Sequence, residues 1–152
     1  MDNCMLVKKP SLNLVGISYS GPYSTFPDEA IRLQNDFMAR KHELNDNVKS
    51  AVLFSPYFGN EVFATYWAAL ETHHMSSVPS GMVQLTIPEH EYAVVTTTNK
   101  RIGEGYEQIS AWMNEKGLKK HDYALAIEVF FVDAHLDEET VELWIPVRDA
   151  EE

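Results

Sequence analysis

One carboxylate stands inside a run that otherwise reads as a buried strand: Leu125-Ala126-Ile127-Glu128-Val129-Phe130-Phe131-Val132. An unpaired charge is costly in apolar surroundings, so Glu128 must pair, take up a proton, or face water. A half-exposed strand with Glu128 in solvent satisfies the pattern. So does an acid lining an apolar pocket that receives a cation or a proton. Strand alternation puts Ala126, Glu128 and Phe130 on one face and Ile127, Val129 and Phe131 on the other. The second set reads as core beneath helices, the first as the lining of a cleft. On the next strand Glu142, Trp144 and Pro146 share a face, which makes Trp144 a candidate border of the same cleft. Phe54, Tyr57, Tyr66 and Trp67 are the aromatic candidates of the first half, and each alone also fits core or rim packing. Together, such rings around one acid suit a flat, apolar, cationic ligand, with cation–π contacts worth roughly 0.5–2 kcal/mol each. The same acid, its pKa raised by burial, also suits general acid–base work on an electrophile, with Tyr66 or Tyr57 orienting an oxygen.

Other chemistries find little support. His73 and His74 are adjacent, so they point apart on a strand and diverge by about 100° on a helix. No HExxH, GxSxG, GxGxxG or GxxxxGK[ST] pattern occurs, and Gly103-Glu104-Gly105 would set an acid against phosphate. The expectation is no metal and no cofactor. A single cysteine, Cys4, rules out an internal disulfide framework. A net charge of −11 opposes direct binding to nucleic acid, which needs a basic surface. No apolar stretch approaches the ~20 residues of a membrane-spanning helix, and the first ten residues lack a signal-peptide core. A cytoplasmic protein is expected.

The elements that must position Glu128 occur twice. Residues 12–20 read as a strand, broken by Gly21-Pro22. Thr25, Pro27, Asp28 and Glu29 open a helix whose face carries Ile31, Gln34, Phe37, Met38 and Lys41, ending at Asn45-Asp46-Asn47. Residues 51–58 and 61–70 follow as strands around a Gly59-Asn60 turn, then a polar connection with a short strand up to residue 87. The order then repeats: a strand at 92–98, a helix at 103–116 with Tyr106, Ile109 and Met113 on one stripe, a Gly117 stop, and strands at 125–132 and 140–147. Aligning the halves sets Val15 against Val94, Phe54 against Phe130, Val62 against Val141 and Val52 against Glu128. The predicted fold class is α+β: two β-α-β-β units related by a pseudo-twofold, forming one curved, antiparallel-rich sheet with both helices on one face. The cleft is expected on the other face. Residues 1–152 form a single domain in this reading, with 1–11 and 149–152 as terminal extensions.

This doubled order, the Gly21-Pro22-Tyr23 turn, the Ile127-Glu128-Val129-Phe130 strand and the Glu142-Leu143-Trp144-Ile145-Pro146-Val147 ending resemble the GyrI-like family. Its members are effector-binding domains of AraC-type and MerR-type multidrug regulators, and also free-standing proteins. The resemblance runs from about Leu12 to Arg148. It implies that Glu128 lies at the base of an aromatic-walled pocket and meets lipophilic cations. The flanking segments are too short for a helix-turn-helix, so a stand-alone member is expected. The family also includes a gyrase inhibitor and hydrolases that open strained cyclopropanes, which leaves a hydrolase using Glu128 as general acid or base as the alternative.

Overall fold

The computed structural model describes residues 3–133 and 135–148. Its strands are β1 (Cys4–Lys9), β2 (Leu12–Pro22), β3 (Val48–Gly59), β4 (Phe63–Thr72), β5 (Val83–Ile87), β6 (His90–Thr98), β7 (Ala126–Phe130) and β8 (Thr140–Pro146). Helix α1 (Asp28–Met38) links β2 to β3, and α2 (Ile102–Lys116) links β6 to β7. The strands form one sheet in the order β1-β6-β8-β7-β3-β4-β2-β5, and every ladder is antiparallel.

That order is a palindrome of two units. The strands β3-β4-β2 are answered by β7-β8-β6, with β5 and β1 as the matching outer strands. The units meet at β3 and β7, where Leu53 opposes Phe130, Ser55 opposes Glu128 and Tyr57 opposes Ala126. The expected pair of β-α-β-β units is therefore present.

Each helix lies on the sheet through a short apolar stripe. In α1, Leu33 and Phe37 are four residues apart and buried, while Asp28 and Glu29 complement the positive end of the helix. In α2 the buried stripe is Gly105, Ile109 and Met113. A Cβ at Gly105 would stand 2.9 Å from Thr97 Cγ2 and 3.0 Å from Leu143 Cδ1, so the missing side chain lets the helix approach β6 and β8. Gly117 ends α2 at φ 71°, as its sequence position predicts.

Both helices share one sheet face. Leu33, Phe37, Ile109 and Met113 join Val15, Leu53, Ala68, Val95, Phe130, Val141 and Leu143 in a single core. Among the described residues the opposite face carries no helix, yet it buries Leu14, Phe54, Tyr92, Ile127, Val129 and Trp144. Large rings from neighbouring strands cover one another on this face: the Trp144 ring lies 6.0 Å from Phe54 and 5.5 Å from Tyr92 between centroids. Lys9 Nζ sits 4.5 Å above Trp144, so β1 helps to cover it.

Four expectations change. Residues 4–9 are not an extension but strand β1, hydrogen-bonded along β6 from Cys4↔Val95 to Lys9↔His90; residues 149–152 lie outside the described residues. The first helix stops at Met38, and Lys41–Asn47 forms 3-10 turns that include Asn45 at φ 54°. The faces of β7 are reversed: Ala126, Glu128 and Phe130 point toward the helices, Ile127 and Val129 away from them. The alignment of the halves is also out of phase. Phe54 and Phe130, Val15 and Val94, and Val52 and Glu128 lie on opposite faces, so no twofold through the sheet relates them. Among the described residues no helix is long and apolar enough to cross a membrane.

Candidate functional site

Glu128 is the third residue of the five in β7, held between Ser55 of β3 and Leu143 of β8. Its side chain points into a cavity of about 380 Å³ in the cleft between the two helices. Tyr57 and Tyr66, paired across β3 and β4, form one wall with rings stacked at 6.3 Å and 21°. Tyr106 and Ile102 of α2 form a second. Tyr23, Phe26 and Pro27, in the turn before α1, close the third side, with Ala30 above them. The mouth is open: Tyr23 is 54% exposed.

The floor is a hydroxyl network converging on the acid. Tyr66 Oη donates to Glu128 Oε1 at 2.6 Å, and Tyr106 Oη donates to Oε2 at 2.6 Å. Tyr57 Oη lies 2.8 Å from Tyr106 Oη. A phenol has one hydrogen, and that of Tyr106 is directed at the carboxylate, so Tyr57 is the donor of this pair. Gln34 Nε2, reaching in from α1, donates to Tyr66 Oη and Ser55 Oγ, both at 3.1 Å. Among the described residues no buried side-chain polar atom is left without a partner.

Burial pushes the Glu128 carboxyl above the usual carboxylate range, and the hydrogen bonds from Tyr106 and Tyr66 oppose that shift. Burial, followed by the adjacent Glu128 charge, drives the phenols of Tyr57, Tyr66 and Tyr106 upward. All three therefore stay protonated and remain donors at physiological pH. Among the described residues no Lys, Arg or His lines the cavity, where the carboxylate meets phenols and hydrocarbon. The described residues contain no group of three or more His, Cys, Asp and Glu able to hold a metal ion.

Of the residues singled out in the sequence, Glu128, Tyr57 and Tyr66 come together here. Phe130 shares the helix-facing side of β7 but lies in the core rather than on the cavity wall. Phe54 and Trp144 belong to the opposite core, because Phe54 pairs with Val129 and Trp144 with Ile127. Trp67 alternates with Tyr66 and Ala68, so it also points away. The sequence reading missed Tyr106, the Tyr23–Pro27 turn and Gln34. Two of them carried a signal: Tyr106 sets a hydroxyl on an apolar helical stripe, and Gln34 an amide on another.

Fold and site together define an effector-binding domain for small molecules. A family described as Cass2, integron-associated effector binding protein, matches residues 5–147, and the chain belongs to it. The transcriptional regulator BrlR of Pseudomonas aeruginosa is 31% identical over 121 residues, 75% of this chain. Those residues are 43% of BrlR, so the chain spans less than half of that regulator. Among solved structures, SAV2435 bound to tetraphenylphosphonium superposes with a TM-score of 0.74 at 16% identity, covering 97% of this chain and 95% of that one. A hydrolase from Listeria innocua gives a TM-score of 0.63 at 9% identity, covering 97% and 92%. At these identities the two structures establish the shared fold.

Proposed function

We propose that the protein captures lipophilic aromatic cations in the cavity between the helices, with Glu128 as their counter-charge. One observation carries this reading: a carboxylate sits at the floor of a tyrosine-walled cavity with no basic side chain among the described residues that line it. An isolated charge in such a place is disfavoured, and a cation arriving over it relieves that cost while its rings stack on Tyr57 and Tyr66. The tetraphenylphosphonium complex of SAV2435, which has the same fold, supports a ligand of this class. Selectivity would be broad, because apolar walls accept many flat shapes and only charge is specified.

The test compares a cationic dye with a neutral aromatic of similar size against the native protein and Glu128→Gln. The cation should lose about 1–3 kcal/mol of binding free energy in the variant, as for a partly desolvated charge contact. The neutral compound should bind as before. Equal losses would mean that the pocket had been damaged, and no loss would remove Glu128 from recognition.

A second reading, hydrolysis of an electrophilic small molecule, draws on the raised pKa of Glu128 and its phenol contacts. Water would attack a ring carbon and pass its proton to the Glu128 carboxylate, while the strained C–C bond breaks with its electron pair moving into a conjugated carbonyl. That oxygen would take a hydrogen from Tyr66 or Tyr106, and the phenol would recover one from the newly protonated Glu128. The fold shared with the Listeria innocua hydrolase is compatible with it. Mass spectrometry of a cyclopropane-containing alkylator incubated with the protein separates the two readings. Ring-opened product that disappears with Glu128→Gln would favour turnover.

A further inference from the structure

We infer that Gln34 is a positioning residue of this site: from α1 it fixes the direction of the Tyr66 hydroxyl hydrogen and so holds Glu128 as a charged acceptor. The inference rests on the cation-binding reading above and deepens it.

The Tyr66 hydroxyl has one hydrogen and lies 2.6 Å from Glu128 Oε1, so that hydrogen belongs to the carboxylate contact. Gln34 then has only an N–H to offer Tyr66 Oη, which fixes which way its amide faces. Its second N–H goes to Ser55 Oγ, also at 3.1 Å. Ser55 is fully buried directly across the sheet from Glu128. A turned amide would set its oxygen against Tyr66 Oη, whose hydrogen is committed to Glu128, so only the N–H orientation bonds Tyr66.

A protonated Glu128 is a poor fit to this arrangement. Its acidic hydrogen would need a phenol oxygen to accept it. Tyr66 Oη already accepts from Gln34, and Tyr106 Oη already accepts from Tyr57. The phenol that took the acid's hydrogen would have to turn its own hydrogen elsewhere. Gln34 on one side and Tyr57 on the other therefore bias the inner pair of tyrosines toward donation. Both inner donors are spent on Glu128, so the network offers a ligand acceptors rather than donors, which disfavours anions.

The titratable groups facing Glu128 are Tyr23 before α1, Tyr57 on β3, Tyr66 on β4 and Tyr106 on α2. No charged side chain on α1, α2 or the adjoining strands lines the cavity. Outside the tyrosines, the neutral groups that reach this balance are Gln34, whose N–H bonds Tyr66 Oη, and the Ser55 hydroxyl beside it.

The test is a pH series of cationic-dye and neutral-aromatic affinity, from about pH 4.5 to 8.5, on native protein, Gln34→Met, Gln34→Leu and Glu128→Gln. Two apolar variants of different shape are used so that a packing defect in one does not decide the result. In both Gln34 variants the pH at which cation binding is half lost should move upward. Affinity should fall up to about tenfold in the lower half of the range, as for one lost neutral hydrogen bond, and recover toward native at the alkaline end. Neutral-compound affinity should stay within about twofold. An unmoved midpoint would overturn the role of Gln34, and so would an equal, pH-independent loss for both ligands. If Glu128→Gln itself leaves cation binding intact, the underlying functional reading fails, not merely this refinement of it.

Discussion

Ser55 and Glu128 face each other across the central strand pair, both on the helix-covered side of the sheet. The two β-α-β-β units are equivalent in topology but not in chemistry here. One unit places a small, fully buried hydroxyl beside the join, and the other places a carboxylate. A small residue on one side leaves room for Tyr66 and Tyr106 to reach over the acid from opposite units. The hydroxyl also anchors Gln34, so the asymmetry is what gives the doubled fold a single polar floor.

Without ligand, that floor should cost stability at neutral pH. An unfolded glutamate titrates near about 4.3, and burial raises the folded value. The folded state therefore holds its proton to higher pH than the unfolded chain does. The stability that this contributes is fully present below the unfolded pKa and is lost as pH rises through the folded one. Glu128→Gln should flatten this arm of the curve. At pH 7–8 its melting temperature should exceed that of the native protein, by roughly 2–4 °C for each kcal/mol relieved. Thermal melts across pH check the point; a variant less stable than native at pH 8 would show that the phenol bonds outweigh burial.

The tyrosines should differ in rank. Tyr66→Phe and Tyr106→Phe each remove a direct donor to the carboxylate, a charge-assisted bond worth about 1.5–3 kcal/mol. Tyr57→Phe acts only through Tyr106, so its cost to cation binding should be nearer the roughly 0.5–1.5 kcal/mol of a neutral bond. All three keep the ring, and neutral aromatic ligands should hardly distinguish them. Isothermal titration of the three variants checks the ranking; a Tyr57 effect as large as that of Tyr106 would mean that the Tyr57 hydroxyl, and not only its ring, meets the ligand.

The doubled order of elements, the helices on one face and the acid in β7 were all legible in the sequence. Which face the acid occupied was not. Alternation in β7 separates two sets of residues, but both sheet faces bury apolar side chains, one under the helices and one in a second core without them. Apolar content therefore carries no information about side, and Ile127 and Val129 looked as suited to the helix face as Phe130. The same ambiguity made Trp144 and Phe54 seem neighbours of Glu128. β1 is hidden in the sequence because Met5, Leu6, Lys8 and Lys9 belong to an edge strand with no buried residue. In the sequence Tyr106 belongs to the helix stripe with Ile109 and Met113, and only the depth of the cleft shows its hydroxyl reaching Glu128 on the sheet.

Trp144 provides the sharpest check on the corrected geometry. Its ring is 5% exposed, packs on Phe54 and Tyr92, lies under Lys9, and gives its indole N–H to Glu142 Oε1 at 2.9 Å. Every one of these contacts is on the side of the sheet away from the cavity. Trp144→Ala should therefore cost about 3–5 kcal/mol of folding stability, the usual range for emptying a large aromatic site. Trp144→Phe, which keeps much of the packing, should cost less. Neither should change the affinity of the folded protein for a cationic dye by more than about twofold, since the binding walls belong to Tyr57, Tyr66 and Tyr106. Chemical denaturation and dye titration on the same preparations separate the two effects. A selective loss of cation binding in Trp144→Phe, with stability and neutral-ligand affinity preserved, would place the ring back in recognition and contradict the pocket described.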